Sequence, residues 1–124
     1  MEFKIDTKAN YVLVLPETVT LNENMAEQLR QKVKELTLEN SHNFIVDLSN
    51  CLNCDLGAES ILLDLHQYVY DNDGSLVFTG LQDTVMNSMK KEQLHLSLNL
   101  TPTLIEAIEI INMEILERDF LKEP

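Results

Sequence analysis

Three features of the sequence predict an α/β domain built on a single mixed β-sheet. Short apolar runs alternate with segments whose apolar residues recur every three or four positions. The first two runs stand about four residues apart, too close for anything but a hairpin. Each later run follows a helix-length segment, which implies parallel strands joined by right-handed crossovers.

Residues 2–6 (Glu-Phe-Lys-Ile-Asp) alternate as an edge strand does, and residues 11–15 (Tyr-Val-Leu-Val-Leu) form a deeper apolar strand. Asn22 reads as an N-cap, and behind it Ala26, Leu29, Val33 and Leu36 give one apolar helix face. Asn40 to Asn43 break that pattern, and Phe44-Ile-Val-Asp-Leu48 follows as a short buried strand. Ala58, Ile61, Leu62, Leu65 and Val69 form a second helical stripe, ended by a turn at Asp71-Asn-Asp-Gly74. Leu76-Val-Phe78 is the next strand, and a shorter helix over 82–91 turns Val85, Met86 and Met89 inward. Leu94, Leu96, Leu98 and Leu100 alternate strictly, which predicts a half-exposed final strand. Thr103 with Glu106 forms a capping box behind Pro102, opening a last helix over 103–119. That helix carries Leu104, Ile105, Ala107, Ile108, Ile110, Ile111, Met113, Ile115 and Leu116, more than one face can bury. The expected order is β-β-α-β-α-β-α-β-α, in one domain spanning 1–124.

With 124 residues the chain has room for one core and not two. A net charge of −12, from nine basic and 21 acidic residues, argues against nucleic-acid binding and against anionic membrane surfaces. No apolar run reaches the roughly 18–20 residues of a membrane span, and no signal-like segment opens the chain. The expected setting is a reducing cytoplasm, and the expected partners are basic or neutral proteins.

Several segments together carry a resemblance. Val19-Thr-Leu-Asn22, with Ala26 and Leu29 behind it, resembles a Gly-x-Leu-Asp-x-x-x-Ala-x-x-Leu pattern. Phe44-Ile-Val-Asp-Leu-Ser49 resembles a strand ending in Asp-Leu-Ser. Cys54-Asp55-Leu56-Gly57-Ala58, followed by Ile61-Leu62-Leu63, stands where an Asp-Ser-Ser-Gly-Leu loop would open the next helix. Thr103 to Ile108 is similar to the start of the same fold's last helix. In order and spacing, over nearly its whole length, the chain resembles a STAS domain of the anti-sigma-factor antagonist family. The resemblance implies a small bacterial cytoplasmic protein that docks on an anti-sigma factor, often a kinase-like one, and so regulates transcription by partner switching. It also implies a switch in which phosphorylation of the second serine of the loop blocks docking. Here Gly57 stands at that serine and Leu56 at the one before it, so the resemblance carries no phosphosite at Gly57. Ser60 and Ser49 are the nearest hydroxyls and the alternative candidates.

The partner-binding surface this implies comprises Asn22 and Met25 at the start of the first long helix, with Asp55, Leu56, Gly57, Ala58 and Ile61 at the second. The residues themselves allow two readings of 55–57. One is a tight turn in which Asp55 caps the following helix. The other is an interface, because Leu56 is apolar in a turn beyond a parallel strand, where α/β sheets present sites. The over-apolar last helix is a second candidate surface, for a partner or for a homodimer.

Cys51-Leu-Asn-Cys54 also has two readings, small buried hydrophobes or redox and metal chemistry. Asp55 beside the pair opposes thiolate formation, and zinc needs four ligands where only His66 is near in sequence. His42, His66 and His95 fall on different elements, Asp64 reads as a solvated helix residue, and the three glycines form no phosphate-cradling run. The sequence therefore predicts a non-enzymatic protein-binding module with no metal or cofactor. The alternatives are a STAS-like accessory subunit of a transport or signalling complex, or a Cys-x-x-Cys redox protein.

Overall fold

The computed structural model describes residues 2–55 and 57–122. Phe3–Thr7 (β1) and Val12–Pro16 (β2) pair antiparallel, with Ile5 opposite Val14 and the turn closed by Lys8 N–H to the Tyr11 carbonyl at 2.8 Å. Thr20–Leu21 (β3) leads into the helix Glu23–Leu38 (α1), then Asn43–Asp47 (β4) and Asn53–Cys54 (β5). Glu59–Asp71 (α2), Ser75–Thr79 (β6), Asp83–Lys91 (α3), Leu100–Thr101 (β7) and Leu104–Lys122 (α4) complete the chain.

The main sheet runs β1-β2-β4-β6-β7, parallel throughout except at the β1–β2 hairpin. β3 and β5 form a separate two-stranded parallel ribbon, an element that periodicity did not predict because two residues have no period.

Alternation along the central strands divides the interior. Phe44, Val46, Leu76 and Phe78 join α1, α2 and α3 in the larger core with Met25, Leu29, Leu62, Leu65, Val85 and Met89. Ile45 and Val77 point the other way, onto Ala107 and Ile111 of α4. Burial on both faces is why these strands read as continuous apolar runs.

The final strand departs from expectation. Leu94–Leu96 is a 3₁₀ turn, and only Leu100 and Thr101 join the sheet. Leu94 and Leu98 are buried and four residues apart, so the same leucines that alternate also satisfy a helical spacing. The Leu94 carbonyl accepts both Ser97 N–H and Leu98 N–H, which curls the segment, and leaves Leu96 and His95 exposed. Asn22 does cap α1, its Oδ1 accepting Met25 N–H at 2.9 Å. Thr103 Oγ1 likewise accepts Glu106 N–H at 3.3 Å and donates to the Glu106 carboxylate at 3.0 Å.

Candidate functional site

The parallel strands end together at one edge of the molecule, and the segment after β4 is fastened there from three sides. Leu48 N–H donates to the Thr79 carbonyl and Ser49 N–H to Asp47 Oδ1, each at 2.9 Å. Gln82 Nε2 at the start of α3 donates to the Ser49 carbonyl at 3.0 Å, and Thr84 Oγ1 to the Leu52 carbonyl at 2.6 Å. From the other side the Val19 carbonyl accepts Leu52 N–H at 2.7 Å and Asn53 N–H at 3.1 Å, and the Leu21 carbonyl accepts Asp55 N–H at 2.9 Å. With its backbone groups bonded to separate elements, residues 48–55 form a ledge with little freedom to rearrange.

Gly80 makes the ledge possible. Its φ of +71° turns the chain from β6 toward α3, and a Cβ there would stand 2.6 Å from Asp47 Oδ1, the atom that holds Ser49. Gly57 has φ +102°, its N–H donates to Glu59 Oε2 at 2.7 Å, and a Cβ would come within 3.3 Å of Glu23 Oε2. The start of α1 and the approach to α2 are thus one continuous surface.

On that surface Asp55 and Gly57 are exposed and Asn22 is half-buried. Met25 and Ala58 are fully buried and Ile61 is only 8% exposed, so these three expected contact residues lie in the core beneath the surface. Their spacing places them on the inward stripes of α1 and α2, which offer the same apolar signal as a docking face. Leu56 lies outside the described residues. Asp55 does not cap α2: Ala58 precedes that helix without a side-chain cap, and it is Glu59 that reaches back to Gly57. Asp64 is exposed and not merely solvated, since it accepts from Arg30 Nη1 at 2.8 Å and ties α2 to α1. Ser49 and Ser60 are both exposed.

Two residues that sequence reasoning missed stand out. Val19 is 59% exposed and Leu52 53% exposed, joined through the Val19 carbonyl and beside a shallow cleft lined by Glu17, Thr18, Val19 and Asn50. Each is an apolar residue among polar turn residues, which was the only signal available before the β3–β5 ribbon brought them together.

The cysteines sit behind this surface. Burial, then the neighbouring Cys54 and Asp47, push the Cys51 thiol up to about 11. Burial, then Glu59, Asp55 and Glu92, push Cys54 up to about 11 as well. Both stay protonated at neutral pH, the opposite of an activated redox pair. His42 and His95 are exposed, while His66 stacks on Tyr70 at 4.5 Å between ring centroids. Among the described residues no three His, Cys, Asp or Glu side chains gather as a metal site.

The STAS domain family model matches residues 4–107. The chain belongs to the STAS domain family. Among solved structures, this STAS domain is similar to a candidate anti-sigma factor antagonist from Thermotoga maritima, with TM-score 0.77 and 15% identity over 89% of this chain and 94% of that one. It is also similar to unphosphorylated SpoIIAA of Bacillus, an anti-sigma factor antagonist, with TM-score 0.70 and 16% identity over 90% and 96%. The murine anion transporter Slc26a9 contains a similar fold, with TM-score 0.70 and 20% identity over 87% of this chain and 18% of the transporter. None of the curated proteins matches it in sequence. Identities this low speak for the fold, and the STAS domain's own surface must speak for its use.

Proposed function

We propose that this STAS domain is a protein-binding module of the anti-sigma-factor antagonist kind, acting without catalysis. Its partner is an anti-sigma factor or kinase-like regulator in a bacterial cytoplasm, and the outcome is transcription regulation by partner switching. The observation that carries the reading is the rigid ledge with Val19 and Leu52 exposed side by side, next to Asp55 and Gly57. The backbone beneath them is already fixed by hydrogen bonds, so docking has only the two side chains to order, which favours them as anchors. From the sequence, Leu56 is included as a third apolar contact, with Asn22 at the border.

SpoIIAA has been solved in a phosphorylated form, but residues 53–58 of this chain, Asn-Cys-Asp-Leu-Gly-Ala, offer no hydroxyl. Docking is therefore constitutive or governed by another input, with Ser49 and Ser60 the remaining phosphosite candidates.

Leu52→Asp in the full chain should weaken binding of the cognate anti-sigma factor by about tenfold or more, since it places a charge in an apolar contact. Its melting temperature should not change, because the side chain already lies half in water. Leu56→Asp should act in the same direction. Unchanged affinity in both variants would place the interface elsewhere. A second reading, an accessory subunit of a transport complex, draws support from the similar fold within Slc26a9. Recovery of transporter subunits by the wild type and not by Leu52→Asp would select it.

A further inference from the structure

The face of α4 turned away from the sheet carries a row of exposed apolar side chains that has no partner among the described residues. Ala107 and Ile111 are buried against Ile45 and Val77, and Arg118 is turned inward to hold Gly74, Ser75 and Asn43. Roughly opposite, at helical spacing, stand Ile105 at 70% exposure, Met113 at 58%, Leu116 at 70% and Phe120 at 74%. From Ile105 to Phe120 the stripe rises about 22 Å, some four turns.

The charges around this stripe have one sign. Glu109 lies within it, with Glu106 and Glu117 on one flank and Asp119 on the other. All four are exposed, and none takes part in an ion pair among the described residues. Lys122, in the last turn, is the nearest base on the helix that is free of inward bonds.

We propose that α4 docks a basic amphipathic helix of a partner protein, about four turns long, with an apolar stripe flanked by lysines or arginines. Charge complementarity selects this occupant. A second copy would set the same patch against itself, since a two-fold contact is isologous, and would bring twice those four carboxylates to one seam. An anionic bilayer meets the same repulsion, reinforced by the net charge of −12. A basic helix instead covers the apolar stripe and neutralises its border. The surface lies on the opposite face of the sheet from α1 and α2, so it is independent of the ledge.

The probe is a synthetic peptide of about four helical turns with leucines at i, i+3, i+4 and i+7 and lysines elsewhere. Its controls are a scrambled peptide of the same composition and the same helix with glutamates for lysines. The full chain should bind the lysine helix and neither control. Met113→Asp and Leu116→Asp should each weaken binding about tenfold or more with melting unchanged, and Leu52→Asp should have no effect. Glu109→Lys with Glu117→Lys should transfer the preference to the glutamate helix. Equal binding of the scrambled peptide, or no binding of the lysine helix, would overturn the proposal. So would a concentration-dependent dimer abolished by Leu116→Asp, which would make a second copy the occupant. Binding to phosphatidylcholine–phosphatidylglycerol vesicles abolished by the same change would make it a lipid surface.

Discussion

At Gly57 the backbone holds φ +102°, a region that side chains of L-residues rarely enter. Restoring the serine of the resembling family at that position would therefore strain the loop and press a Cβ toward Glu23. Gly57→Ser should lower stability by about 1–2 kcal/mol, read as a shift in the urea midpoint with unchanged slope. An unshifted midpoint would mean that the loop relaxes easily. The cysteines present the converse case, residues whose spacing looks chemical but whose thiols are pushed up by burial. With both thiols pushed up to about 11, alkylation by iodoacetamide should be slow at pH 7 and accelerate only as pH rises toward that value. Replacing Cys51 by Val and Cys54 by Ala together should cost no more than about 3 kcal/mol and leave partner affinity intact. Rapid labelling at neutral pH, or one equivalent of metal on the purified protein, would restore the chemical reading.

Among the elements, α4 is joined to the rest of the domain by a few polar bonds as well as by apolar contact. Arg118 donates to the Gly74 carbonyl at 3.2 Å, to Ser75 Oγ at 2.8 Å and to Asn43 Oδ1 at 2.7 Å, gripping the starts of β4 and β6. Nearby, Tyr70 donates to Glu114 Oε1 at 2.6 Å while Asn99 Nδ2 donates to the Tyr70 oxygen at 2.7 Å, linking α2 and α4. Arg118→Ala should cost about 2–3 kcal/mol, because charge-assisted bonds are lost and Ser75 is left buried without its donor. Arg118→Lys should recover only part of that, since a single ammonium cannot reproduce the planar fork. Equal loss in both variants, or none, would show that α4 is held by its apolar face alone. The 3₁₀ turn at Leu94–Leu96 teaches a related lesson, because leucines at every second position fit a strand and a curled turn equally well.

For the whole molecule, the two candidate surfaces lie on different sides of one sheet, so two partners are compatible with a single chain. Its net charge of −12 should steer both associations, with on-rates that fall as salt rises. The loop at 55–58 carries no hydroxyl of the kind that the switch implied by the resemblance would use. Incubation with ATP and a cognate anti-sigma-factor kinase should leave residues 53–58 unmodified by mass spectrometry. Phosphate at exposed Ser60 or Ser49, accompanied by loss of binding, would show that the switch has moved and not vanished. Without that outcome, affinity should be indifferent to ATP.

The sequence by itself determined the features that depend on near neighbours. Periodicity marked four helices and most strands of the main sheet, and the Asn22 and Thr103 caps were readable from residue type and position. The order of elements then implied parallel crossovers and the mixed sheet. Only the tertiary structure decided which apolar residues face inward. Met25, Ala58 and Ile61 entered the core, while Val19 and Leu52, distant in sequence, came together on the surface through the β3–β5 ribbon. It also decided the positive φ at Gly57 and Gly80 and the grip of Arg118, which depend on close approach between segments. Apolar spacing is the same for a core stripe and a docking stripe. The difference lies in what another part of the chain brings against it.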